Sequence, residues 1–164
     1  METAISLIFY ILLLNSIDAE SIRYFNNGYV VNYPKINKAK QMIISMRCND
    51  KYYNMLVDTG AADSYLNSTL LKDRNFKWKR IDGVLGSDLL GTSNVSHVCE
   101  TSIAIIGGVN MKKSYFMSLD LSYINKSYEL RNIDHIDGII GCDIIEKHKF
   151  IIDYNMKRIF IKNR

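Results

Sequence analysis

Apolar positions along most of this chain come in short runs with the period of strands. Residues 41–48 and 52–57 are two β-branched or apolar stretches around Asn49-Asp50, the pattern of two strands joined by a tight turn. Upstream, residues 21–40 are polar and mixed. Asn26-Asn27-Gly28 signals a turn there, and the single proline, Pro34, interrupts any helix, so a short lead-in hairpin is predicted. Downstream, residues 65–71 predict a short helical turn and residues 76–81 a strand. A loop punctuated by Gly83, Gly86 and Gly91 is expected next. Strands over 95–106 and 109–119 follow, joined by Gly107-Gly108, and then a polar stretch over 122–132. The last block predicts a helix over 143–148 and a hairpin of strands 150–153 and 158–162 around Asn155. Many short strands separated by turns imply an all-β, barrel-like domain.

The first segment breaks this pattern. Residues 4–14 form an apolar run of eleven, interrupted only by Ser6, with Asn15, Ser16 and Ala19 after it. The run has the length of a signal-peptide core and is short for a spanning helix, although no Lys or Arg precedes it. Three readings stay open: a cleaved secretion signal, an uncleaved membrane anchor, or a first element of the domain. Export would place the mature start near Glu20, dividing the chain into a leader (1–19), a lead-in (20–40) and a main domain (41–164). The localisation expected is then periplasmic or extracellular, or membrane-anchored through residues 4–14.

Composition narrows the classes further. With 164 residues, 48% hydrophobic and 23% charged, the chain suits one compact domain with its own core and excludes disorder or a polytopic membrane protein. The net charge is +4, but the cations are read as scattered, so nucleic acid is not an expected partner. Three cysteines, Cys48, Cys99 and Cys142, show no C-x-x-C spacing and are expected as buried thiols. His97, His135 and His148 lack ligand spacing, so neither a metal nor a cofactor is expected.

The chemistry concentrates in Met55-Leu56-Val57-Asp58-Thr59-Gly60-Ala61-Ala62-Asp63-Ser64, where an apolar strand delivers an acid onto a tight turn. A carboxylate at the end of a buried strand is costly unless hydrogen-bonded or functional. Gly60 allows close approaches that a Cβ would block, and the Thr59 hydroxyl is able to fix the loop. This stretch resembles the catalytic loop of retropepsin-like aspartic proteases, the single-domain relatives of pepsin, with a bacterial type of ending. Asp137-Gly138-Ile139-Ile140-Gly141-Cys142-Asp143-Ile144-Ile145 is similar to the family's second motif, an apolar pair and Gly leading into the C-terminal helix. The resemblance spans about residues 41–162.

It implies an all-β acid-protease barrel with one short C-terminal helix, and an endopeptidase in which Asp58 is the catalytic carboxylate. Thr59 would brace Asp58, and Gly60 would let two active-site loops meet. Ala61 and Asp63 on that loop, with Gly83, Val84, Leu85 and Gly86 on a flap, would contact the polypeptide substrate. A single Asp-Thr-Gly implies a symmetric homodimer that supplies the second carboxylate. Viral members carry an acid where Ala62 stands and an Arg where Cys142 stands, so their dimer contact does not transfer. The alternative is a non-catalytic peptide-binding or scaffold module on the same fold.

Blander roles are expected elsewhere. Asp143 should cap the last helix, Asp63, Asp88 and Asp137 should be solvated turn residues, and Trp78 should pack at the flap base. Residues 81–90 echo 136–145 at five of ten positions, read as chance or as two similar glycine-containing elements with different roles. Glycosylation sequons stand at Asn67, Asn94 and Asn125.

Overall fold

The computed structural model describes residues 18–88, 91–101, 104–112 and 114–163. Its first element is helix α1 (Ala19–Asn26), where the sequence suggested half of a hairpin. Asp18 starts this helix: its carboxylate accepts the Ser21 N–H at 2.9 Å, satisfying one of the donors a helix start leaves open. Strand β1 (Tyr29–Asn32) then runs antiparallel to a distant partner, and β2 (Lys35–Ile36) pairs with the strand that follows, so the lead-in forms no hairpin.

Strands β3 (Met42–Cys48) and β4 (Lys51–Val57) are the expected hairpin, turning at Asn49-Asp50. In β3, Met42, Ile44, Met46 and Cys48 point into the main core while Ile43, Ser45 and Arg47 face the other way. The same alternation buries Tyr53, Met55 and Val57 of β4, and Leu56 is buried too because a second cluster covers its face. A short β5 (Tyr65–Asn67) and a 3-10 turn (Ser68–Lys72) come next. Strands β6 (Trp78–Asp88) and β7 (Gly91–Thr101) form one long hairpin that carries the strands expected over 76–81 and 95–106 into the stretch read as a glycine-punctuated loop, with an irregularity between Arg80 and Val84. β8 (Ala104–Ile106), β9 (Val109–Asn110) and β10 (Ser114–Leu119) complete this half.

The polar stretch after β10 is helix α2 (Ser122–Leu130), which sequence reading left without structure. Leu121, Ile124 and Tyr128 recur at helical spacing and pack into the second cluster with Ile133 and Ile136. β11 (Gly138–Ile140), α3 (Cys142–Lys147), β12 (Ile151–Asp153) and β13 (Arg158–Lys162) end the described chain, close to the elements expected there.

Ten strands form one sheet in the order β6-β7-β10-β5-β11-β4-β3-β8-β9, with β2 also on β3. A separate sheet has the order β1-β13-β12. The expected all-β class therefore holds for the sheet core, a curled half-barrel, with two helices besides the C-terminal one among the described residues. The decisive junction is at β11, which lies parallel to β4 and antiparallel to β5. The chain leaving β4 and the chain leaving β11 emerge side by side from the same end of the sheet.

Candidate active site

Asp58 follows β4 directly, and its N–H donates to the Ile140 carbonyl of β11 at 3.0 Å, so the sheet ladder extends one step into the loop. Beyond it the loop is tied by its own backbone and by the start of α3. Ala61 N–H donates to the Asp58 carbonyl (3.3 Å), Cys142 N–H to that of Ala61 (2.8 Å) and Asp143 N–H to that of Ala62 (3.1 Å). These last two bonds use helix-start donors that would otherwise lack partners. Each such bond contributes about 1 kcal/mol net, and together they preorganise the turn.

The second motif is needed for contact with the first. Gly141 packs against the loop so closely that a Cβ there would lie 2.2 Å from the Asp63 carbonyl oxygen. Its N–H donates to Ser64 Oγ at 2.9 Å, and the Ser64 hydroxyl donates in turn to Asp143 Oδ1 at 2.6 Å. Asp143 therefore does not cap α3, whose cap position is Gly141. It clamps the Asp58 loop through the buried Ser64. Sequence reading missed this role because the partners stand far apart in the chain.

Within the loop, Asp58 is half-buried and Thr59 and Gly60 are exposed. The Gly60 N–H donates to Asp58 Oδ1 at 2.8 Å, and a Cβ on Gly60 would approach that same oxygen to 3.2 Å. Gly60 thus leaves room for the carboxylate it helps to hold. No hydrogen bond of the Thr59 hydroxyl occurs among the described residues; its carbonyl accepts the Cys142 thiol at an S···O distance of 3.3 Å. Ala61 and Asp63 share this loop, half-buried. Gly83, Val84, Leu85 and Gly86 lie on β6 at the far edge of the sheet order, where Val84, Leu85 and Gly86 pair with Val95, Asn94 and Ser93. The sheet's curl returns the base of that hairpin: Ile81 packs on the second cluster, which also receives Ala61 and contains Leu56 and Ile139.

A residue absent from the sequence reading also stands here. Tyr128 of α2 is buried in that cluster and donates its hydroxyl to Gln41 Oε1 at 2.6 Å. Burial pushes its phenol up, and the nearby Asp58 carboxylate pushes in the same direction. The helical spacing from Leu121 to Tyr128 was the available signal. Asp137, expected to be solvated, bridges instead: its carboxylate accepts the Asn54 N–H at 2.7 Å and its carbonyl the Asn67 N–H at 2.8 Å. Asn125 spends its side chain on both backbone groups of Ile136, and Asn67 is buried with its side-chain oxygen on Thr69 N–H, so both sequons are enclosed by the fold. Trp78 packs partly buried on the core beside Phe76, as expected. Of the two echoing segments, residues 81–88 lie on β6 and residues 136–145 cover β11 and the start of α3, while residues 89–90 lie outside the described residues. Among the described residues no three His, Cys, Asp or Glu side chains gather as a metal site needs.

No family model matches the sequence, and no curated protein matches it. Among solved structures, the chain is similar to a retropepsin-like aspartic protease from Rickettsia conorii. The identity is 18% and the TM-score 0.49, over 83% of this chain and 90% of that one. It is also similar to the retroviral protease-like domain of Ddi1 from Leishmania major, at 18% identity and a TM-score of 0.43, over 76% and 90% of the two chains. In this chain the Asp-Thr-Gly loop is hung between β4 and β11.

Proposed function

We propose that the chain is an aspartic endopeptidase that works as a symmetric homodimer. The observation that carries this reading is the Asp58 loop itself. A half-buried carboxylate is preorganised by Gly60 N–H and by the β11–α3 junction, and among the described residues its second oxygen has no hydrogen bond. One chain offers one such carboxylate, so a second copy must bring its own Asp58 across a two-fold axis.

Two carboxylates within hydrogen-bonding distance share one proton and titrate as a pair. The ionised member takes a proton from a bound water, which attacks the peptide carbonyl. The protonated member donates to the carbonyl oxygen; on collapse it takes that proton back, and the member that took the water's proton passes it to the leaving nitrogen as the C–N bond breaks. Exposed Thr59 and Gly60 would then face the partner copy, and Thr59 would find there the hydroxyl partner it lacks among the described residues. The β6–β7 hairpin, with Gly83 to Gly86, would hold an extended substrate by strand-like pairing.

The test is cleavage of a peptide library across acidic to neutral pH, with Asp58→Asn alongside and the sedimentation mass of both proteins recorded. A dimer whose cleavage disappears in the variant supports the proposal. A well-folded, inactive monomer would favour a peptide-binding module instead.

A further inference from the structure

Arg158 is the most enclosed cation among the described residues, only 3% exposed, and it sits at the foot of the turn between β12 and β13. Its Nε donates to Asp153 Oδ2 at 2.9 Å and its Nη1 to Ser21 Oγ at 3.1 Å, and the same guanidinium pairs with Asp18 and Glu20. One side chain therefore pins the start of α1 to the 154–157 turn. A cut between Ala19 and Glu20 would remove the cap of α1 and one of Arg158's carboxylates. Retaining Asp18 keeps the helix cap and the full set of Arg158 partners.

We propose that this end of the domain seats on a lipid bilayer, with residues 4–14 retained as the anchor. Leu14 and Asp18 are four residues apart, a reach of at most about 14 Å, so an inserted apolar run would hold Asp18 at the headgroup layer. The surface around that exit suits the layer. The turn exposes Tyr154 (60%) and Met156 (53%) beside Lys157, and α1 exposes Ile22 (47%) and Phe25 (75%), three apart and so on one stripe. An aromatic ring with a polar tip, a thioether and a lysine that extends toward water are the side chains an interface accepts. Asp18, Glu20 and Asp153 are matched by Arg23, Lys157 and Arg158, so the contact is apolar and does not need anionic lipid.

The test uses the full chain with zwitterionic phosphatidylcholine vesicles and lipids brominated near the headgroup. Tyr154→Trp is compared with Tyr115→Trp, a similarly exposed position on β10, each corrected for the parent's Trp78. The expected result is at least twofold stronger quenching at position 154, a full-length mass from the producing cells, and partition that changes less than twofold between 0.1 and 0.5 M salt. Equal quenching at the two positions, a mature chain beginning at Glu20, or steep salt dependence would each overturn the proposal.

Discussion

At the scale of single residues, the loop is defined by contacts that allow little substitution. Gly141→Ala forces a methyl group into the Asp63 carbonyl, and backbone on both sides leaves it nowhere to move. A loss of roughly 3 kcal/mol or more in denaturant stability is expected, together with loss of activity. Stability unchanged within error would mean that the loop and α3 are not packed as described. Ser64→Ala removes the link between Gly141 and Asp143 and should cost about 1–2 kcal/mol, with a lower kcat. The cysteines provide an independent check. Burial pushes the Cys48 thiol up to about 12 and raises that of Cys99 as well, whereas Cys142 is partly accessible. At pH 8 a thiol reagent should modify one cysteine quickly and two only on unfolding, and mass mapping should place the fast label on Cys142. Asp58, Thr59 and Gly60 were legible in the sequence because an acid after three apolar residues is a local pattern. Ser64 and Asp143 were not, because 79 positions separate the partners of their hydrogen bond.

Elements show a similar division. β3 and β4 announce themselves by alternation, and the strands of the terminal hairpin by their flanking turn. The middle of the β6–β7 hairpin, between the strands expected over 76–81 and 95–106, reads as a loop because its glycines suggest breaks, yet Gly86 and Gly91 both stand in the ladder. α1 was hidden by its polar composition, since its place depends on Arg158, more than 130 residues away. That dependence gives α1 a pH response. The Met156 N–H, then Arg158, hold Asp153 below the usual carboxylate range, and the Ser21 N–H, its hydroxyl and Arg158 do the same for Asp18. A lowered carboxylate stabilises the fold above its unfolded value, near ~3.9, and that contribution is lost as pH falls further. Amide protection in α1, taken relative to the intrinsic rate at each pH, should therefore fall below about pH 4, ahead of protection in β3 and β4. Arg158→Ala should abolish that pH dependence by freeing α1 at neutral pH too, while the β3–β4 hairpin stays protected. Uniform exchange across the domain at every pH would contradict the Arg158 tie.

For the whole molecule, the sheet order determines what one copy contains and what it lacks. β11 inserted between β4 and β5 brings both motifs to one end, and the second cluster closes one face beside Asp58 with Leu56, Ile139 and Tyr128. What a single copy does not contain is a second Asp-Thr-Gly carboxylate. Shared catalysis therefore has a quantitative signature in mixtures. Wild-type chain and Asp58→Asn chain would be combined at constant total concentration, allowed to exchange partners, and assayed for peptide cleavage as the wild-type fraction is lowered. If each site needs two Asp58 carboxylates, activity falls as the square of that fraction, reaching a quarter at an equal mixture. A linear fall to one half would contradict the shared dyad, and an absence of cleavage at every fraction would contradict the peptidase itself.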